Sequence, residues 1–368
     1  MHATVADPCS LNMGRLPNIL PTNRHFCAII GTMVTNAPLG IVDALSAGFV
    51  IVNRRLWILL LPILLDIFLL YGPGVSINPL VEDALGLIQA QIGSQSATAD
   101  AAAPGDNRTA LSQTLEQSQL LLASYRDANL LGVLAWQVPS VLTATAHASL
   151  PKLAGRPVAE VTNGLTLLTC ALGLGVLGLL LASIYLAAIA QALSGDAVVL
   201  SALYKSGLLG WLQFTLFFVA LLVGTVMLGG GVIILLGIAS LLGSGVLALA
   251  SSIVMTFVLT ASFYLFFVDD AIFVLQIWPF RAAFYSAAVV WRNFWASLGF
   301  ILLVSLILAG TVLVWGFVMQ NPLGIAPAIL GHAYIATGFT AAGMLFFSQR
   351  FAHLQREVSG IQTSFSRE

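Results

Sequence analysis

"LGWLQFTLFFVALLVGTVMLGGGVIILLGIASLLGSG", residues 209–245, is apolar almost from end to end. A helix needs roughly 20 such residues to cross a bilayer core of about 30 Å. The apolar character continues to about residue 267, so the stretch holds two spans, separated near the Gly-rich "LLGSG". Composition extends this reading to the whole chain. Of 368 residues, 59% are hydrophobic and only 8% charged, where a soluble domain carries about 25% charged residues. Mean hydropathy is +0.97. The sequence is that of a polytopic membrane protein, and a net charge of −1 provides no field toward nucleic acid or anionic substrates. The three cysteines, Cys9, Cys27 and Cys170, have neither zinc nor thioredoxin spacing.

Other spans follow on either side. Leu56–Tyr71 reads as the first, closed by "YGPG", and 164–193 as the second. Within the second, Ala171, Gly175, Gly178 and Ala182 form a small-residue stripe that admits close approach of another helix. "SGDAVV" ends it and opens a short amphipathic linker containing Lys205. "VDDAIF" closes span four; span five runs to about Met319. "QNPLGIAP" is a turn with Pro322 and Pro327 as breakers, and span six covers 328–348, ending at Arg350.

Two segments read as helices lying in the headgroup zone. In 36–55, Asn36 and Pro38 suit a helix start, and Ile41, Leu45, Phe49 and Val52 share a stripe, with Arg54 and Arg55 at the membrane edge. In 278–295, Phe280, Phe284, Ala287 and Trp291 line one face, bracketed by Arg281 and Arg292, and its tryptophans suit an interface. "ALSAGFVIVNRRLW" (44–57) aligns without gaps to "AAFYSAAVVWRNFW" (282–295), sharing Arg54/Arg292 and Trp57/Trp295; 196–211 is a weaker third copy.

The expected fold is thus all-α and integral to the membrane. It has about six transmembrane helices in three hairpins, with interfacial amphipathic helices and an external helical loop domain. The divisions are a disordered tail over 1–36 (with Met33 a candidate start), an interfacial helix and first span over 37–75, and the loop domain over 76–162. A five-span bundle over 163–350 and a cytoplasmic tail over 351–368 complete it. The loop domain holds amphipathic candidates at 78–92 and 108–135 around the flexible "SQSATADAAAPGD". Lys and Arg of the short loops fall on one side of this scheme, so both termini are placed in the cytoplasm of a cell (cytoplasmic or inner) membrane.

Chemistry is sparse. Asp66, in "LPILLDIFLL" (61–70), lies roughly 16 Å along a helix from Arg55, near mid-membrane, where a charge costs at least ~2.5–3.5 kcal/mol. Pro62 removes a hydrogen bond to Ile58 and invites a kink. Two readings stay open for Asp66: a proton or cation site, or a neutral acid hydrogen-bonded to a neighbouring span. Asp269 and Asp270 suit a structural role, capping the next helix or pairing with Arg281 or Arg292, better than a metal site. The histidines His2, His25, His147, His332 and His353 have no metalloprotease spacing. No catalytic residue, metal ligand or cofactor motif stands out.

The stretches "ALSAGF…RRLW…LPILLDIFLLYGP", "WQVPSV" (136–141) and "DDAIF…W…A" (269–295) resemble uncharacterised bacterial polytopic membrane proteins similar to the glycerophosphodiester phosphodiesterase membrane-domain type. That resemblance implies the membrane architecture without the catalytic domain, and it lends no enzymatic role. Three functions remain: a non-enzymatic module organising lipids or partner proteins, a secondary transporter using Asp66, and a lipid-processing enzyme working at Asp269, Asp270 or His332. Membrane lipids, and a membrane-protein partner, are the expected partners; nucleic acid is not.

The orientation is directly testable. Topology reporters placed after Glu368 and at Arg292 should both read cytoplasmic, and one near Ala102 external. An external reading at the C-terminus overturns the six-span count.

Overall fold

A computed structural model describes residues 38–98, 119–120, 129–145, 157–194 and 200–365. The expected N-terminal tail and most of 108–135 lie outside the described residues. In chain order the elements are α1 (Ile41–Arg54), a 3-10 turn (Leu56–Leu59), α2 (Leu60–Tyr71), β1 (Gly74–Ser76) and α3 (Asn78–Thr98). A 3-10 helix (Leu130–Ala135), α4 (Val141–Ala144) and β2 (Val158–Glu160) follow. The remainder is helical: α5 (Gly164–Leu193), α6 (Leu200–Leu242), α7 (Ser244–Tyr264), α8 (Val268–Leu275), α9 (Pro279–Arg292), α10 (Phe294–Val318) and α11 (Pro322–Phe365).

Hydrocarbon offers no water to an unpaired amide or carbonyl, so each spanning segment closes its own backbone bonds as a helix. Among the described residues, five helices are long and apolar enough to cross a membrane, and six if α1 and Leu56–Tyr71, bent by 91°, count as one span. Side chains such as Leu222, Ile233 and Phe257 stand exposed along them, a surface that water would not tolerate. The protein is an all-α, multi-pass membrane protein.

Several boundaries differ from the sequence reading. The break at "LLGSG" falls at Gly243, whose φ of 118° is one that a side chain rarely permits. The Lys205 linker is no separate element: α6 runs unbroken over 43 residues, about 65 Å at 1.5 Å per residue, and therefore outreaches the hydrocarbon. The third copy of the repeat dissolves into it, whereas the aligned Arg54 and Arg292 each end their own helix, α1 and α9. The chain turns between α1 and Leu56, not at Pro62, which lies in the first turn of α2 where a missing N–H costs little. Pro322 opens α11 and Pro327 lies inside it; so near the helix start, its missing donor forfeits a single bond. Nor does the chain leave the helix at Arg350, since α11 continues to Phe365.

The chain divides into two compact units. The first comprises residues 1–59, 182–309 and 334–368. In it α1 lies on α11 at very short range. A Cβ added at Gly48 would stand 2.6 Å from the Gly338 carbonyl oxygen and 2.7 Å from the Ala342 Cβ. Phe49 meets Tyr334 and Phe339 with ring centroids 5.5 Å apart in each pair, and the Tyr334 hydroxyl donates to Asn53 Oδ1 at 3.0 Å. An aromatic cluster of Phe267, Phe300, Phe346 and Phe347 fills the interior, with Phe300 and Phe346 stacked at 4.4 Å. Tyr185, fully buried, donates its hydroxyl to Thr337 Oγ1 at 2.9 Å.

The second unit comprises residues 60–181 and 310–333. It carries a two-stranded parallel pairing, Gly74 opposite Val158 through Ser76 opposite Glu160, that the sequence reading did not contain. The small-residue stripe of α5 also behaves differently. Gly175 has nothing near it, while Gly178 lies against backbone of the 3-10 helix, 2.8 Å from the Val133 carbonyl oxygen when given a Cβ. Its smallness accommodates the backbone of the 3-10 helix.

Glycine substitutions separate these environments. Gly48→Leu should destabilise the purified protein by roughly 1–3 kcal/mol, the cost of overpacking. Gly86→Ala, in the exposed interior of α3 with nothing within 4 Å, should stabilise it by about 0.5–1 kcal/mol. Chemical unfolding in detergent measures both; a tolerated Gly48→Leu would show that α1 does not lie on α11.

Candidate functional site

Asp66 is on α2 and is 0% exposed. One carboxylate oxygen accepts a hydrogen bond from the Ser140 hydroxyl and the other accepts the Val141 backbone N–H at 3.1 Å. Ser140 is the N-cap of α4, its Oγ accepting from the Thr143 amide at 3.3 Å. The acid thus sits at the start of a helix turn, where backbone N–H groups lack intrahelical partners and a carboxylate is the best-suited acceptor. Neither donor requires Asp66 to bring a proton of its own. The partner is therefore not a neighbouring span, as the sequence suggested, but a segment 74 residues along the chain. The reason is chemical: serine ahead of a helix turn presents a hydroxyl and an amide together, and a spanning helix, its amides spent internally, has no such pair to offer.

The segment 129–145 is fixed on further sides. Asn129 caps the 3-10 helix, its Oδ1 accepting from Leu131 N at 3.2 Å and from Val75 N, on β1, at 3.0 Å. Gly178 of α5 admits the backbone near Val133 and Leu134. Val138 and Val141 are buried between these anchors. The stretches "LPILLD" (61–66) and "WQVPSV" (136–141) meet at this contact.

The other sequence candidates serve elsewhere. Asp269 and Asp270 open α8, at the positive end of a helix dipole, because α7 has already ended at Tyr264. The N-cap residue, Phe267, offers no side-chain cap, and the Asp269 carboxylate is hydrogen-bonded to backbone of the first turn. Asp270 is buried, and Gly343 of α11 leaves room for its carboxylate, 3.3 Å from where a Cβ would be. The expected pairing of these acids with Arg292 does not form: Arg292 binds Glu357 at 2.5 Å, beside His353 at 3.4 Å. Arg281 and Arg54 are exposed. Arg55 donates from Nη1 to the Gln191 carbonyl at 3.4 Å, on the last turn of α5. His332 is buried, with no hydrogen-bond partner on Nδ1. Among the described residues no group of three or more His, Cys, Asp or Glu could hold a metal ion.

Two residues escaped the sequence reading. Arg350, taken as a loop charge, is buried, its guanidinium 3.5 Å above the Phe346 ring and one nitrogen donating to the Leu39 carbonyl at 3.4 Å. The spacing Phe-x-x-x-Arg on a helix was the available signal. Ser286 of α9 accepts the Phe267 amide at 3.2 Å and donates to the Tyr264 carbonyl at 2.8 Å, closing the α7–α8 break; no pattern announces this.

No protein-family model, no curated protein and no solved structure matches this chain.

The Asp66 contact is open to a mutant cycle. Asp66→Leu leaves a buried hydroxyl and amide unpaired and should cost roughly 1–3 kcal/mol. Ser140→Ala should also destabilise, and the double variant should lose less than the sum by about 0.5 kcal/mol or more. Additive losses in chemical unfolding would show that the two residues do not act together.

Proposed function

We propose that this chain is a non-enzymatic integral membrane module that organises lipids or partner proteins. It lies in a cell membrane with both termini cytoplasmic and the segment after α2 outside. The observation that carries this reading is the outward face of α9. Its other face, Ala282, Ser286, Val289 and Val290, is buried. Phe280, Phe284 and Trp291, by contrast, are each more than two-thirds exposed, and Trp278 and Trp295 flank them. Aromatic rings of this kind favour the headgroup level, and the exposed Arg281 favours anionic headgroups by about 1 kcal/mol. On this reading α9 is an amphipathic helix suited to gather lipid or to dock a second membrane protein, whereas the Leu45 and Val52 stripe of α1 is buried.

The alternative, a secondary transporter using Asp66, requires that the acid exchange protons or cations with an aqueous path. Full burial and the engagement of both oxygens favour a structural post instead. The likeness to the glycerophosphodiester phosphodiesterase membrane-domain type belongs to the same proposal and concerns architecture alone.

Exchanging Phe280, Phe284 and Trp291 for serine should strip copurified lipid from the protein, read by native mass spectrometry, while the melting temperature in detergent holds. Asp66→Asn should leave proton flux in liposomes unchanged from the parent protein. Undiminished lipid in the serine variant sinks the module reading, and a pH-dependent flux abolished by Asp66→Asn establishes the transporter instead.

A further inference from the structure

In the first unit, α8 is an eight-residue helix set deep in the packing: seven of its residues, all but Asp269, are buried. Asp270 is 6% exposed, and among the described residues nothing donates a hydrogen bond to its carboxylate. The charge that acts on it is the adjacent Asp269, which repels it. The titratable groups of the elements around α8 are engaged elsewhere. On α9, Arg281 is exposed, Arg292 binds Glu357, and Tyr285 lies against Phe351. On α6, Tyr204 and Lys205 are exposed. On α7, Tyr264 lies against Trp291. On α11, Tyr334 bonds Asn53, His353 stands beside Glu357, Arg356 is exposed, and Arg350 covers Phe346 and donates to Leu39.

The two acids differ in what they receive. The Asp269 carboxylate accepts backbone N–H bonds of the first turn, its own and that of Asp270, and such bonds favour the charged form. The Asp270 carboxylate accepts none. The positive end of the α8 dipole favours an acid here, but by less than burial of an unpaired ion costs. Two means of neutralising Asp270 exist, a proton and a cation. A hard metal cation takes about six or more oxygens. Among the described residues no third acid, histidine or cysteine joins this pair to hold a metal ion, and a helix N-terminus disfavours positive charge. A proton needs one carboxyl oxygen and nothing else.

We propose that Asp270 is a proton-binding site, and that its proton is what allows α8 to seat against Gly343 of α11. Gly343 is the residue type the seat requires, since a Cβ there would stand 3.3 Å from Asp270 Oδ2. Loss of the proton sets two adjacent negative charges in an apolar seat. The element placed to yield is α8 itself, which follows the break after Tyr264 and ends at Gln276, a residue with φ 52°. The site goes beyond the lipid-organising reading and does not depend on it. It shares no residue with the Asp66 contact.

Infrared spectroscopy and chemical unfolding of the full chain in detergent provide the test. At neutral pH the parent protein should show a protonated-carboxyl band that Asp270→Asn removes and Asp269→Asn leaves in place. Asp270→Ser, smaller and equally unable to ionise, should remove it too, which covers poor accommodation of the Asn side chain. A band unchanged in both Asp270 variants, or lost in Asp269→Asn alone, overturns the proposal. Unfolding reads the same proton through stability. The unfolded chain releases it above about pH 4 while the folded chain keeps it, so its contribution to stability falls as pH rises. Relative to either Asp270 variant, the folding equilibrium constant of the parent should fall about tenfold per pH unit between pH 5 and 7. A constant ratio over that range overturns the proposal. So does stabilisation of the parent, but not of Asp270→Asn, by sodium chloride over choline chloride at equal ionic strength, which assigns the site to a cation.

Discussion

The carboxylate of Asp66 lies between the Ser140 hydroxyl and the Val141 amide, and the second unit is organised around that contact. Its physical logic runs both ways. An acid in an apolar helix must find donors, because an unpaired buried polar group costs more than any net gain from pairing it. The first turn of a short helix must find acceptors, because its amides point out of the helix with nothing to bind. Each deficiency meets the other. Once the contact is made, "WQVPSV" is fixed beside α2, Asn129 reaches β1, and β1 gains β2 as its strand partner. Gly178 of α5 admits the backbone that follows Asn129.

In the first unit the corresponding constraint is distance. Between spanning helices in lipid no hydrophobic drive exists, so association depends on close packing and on a few polar contacts. Gly48 against Gly338 and Ala342 brings α1 and α11 near enough for Phe49 to wedge between Tyr334 and Phe339. The Tyr334–Asn53 and Tyr185–Thr337 bonds then fix the register. The same economy covers irregular backbone: where α7 stops and α8 begins, the Ser286 hydroxyl bridges the freed amide and carbonyl. Polar side chains are few in this chain, and several of those buried, Asp66, Ser140 and Ser286 among them, complete a backbone that a helix could not.

Seen this way, the expected failures of the sequence reading have physical causes. Pro327 looked like a breaker, but five residues into α11 it costs the helix a single hydrogen bond and does not end it. Lys205 looked like a linker residue, yet a long polar side chain is tolerated where a 43-residue helix emerges from hydrocarbon. Asp269 and Asp270 looked misplaced at a helix end; the chain had in fact begun a new helix, which turns them to the favourable side of a dipole. Arg350 looked like the mark of a membrane edge, and is buried over an aromatic ring.

The sequence by itself determined that this chain is helical and crosses a membrane, and roughly where. Hydrocarbon dictates composition over some 20 residues at a time, a signal that survives without any neighbour. It also marked Gly243 as a break, and Asp66 and the aromatic face of the 278–295 helix as places to look, since an acid among leucines and rings beside arginines are locally visible. Only the tertiary structure decided that Asp66 binds Ser140, that Gly178 yields to the 3-10 helix, and that Asp270 is buried beside Gly343. A buried polar atom states its need for a partner in its own chemistry. Which distant residue meets that need depends on where the packing of helices brings the chain back, and no local pattern carries that information.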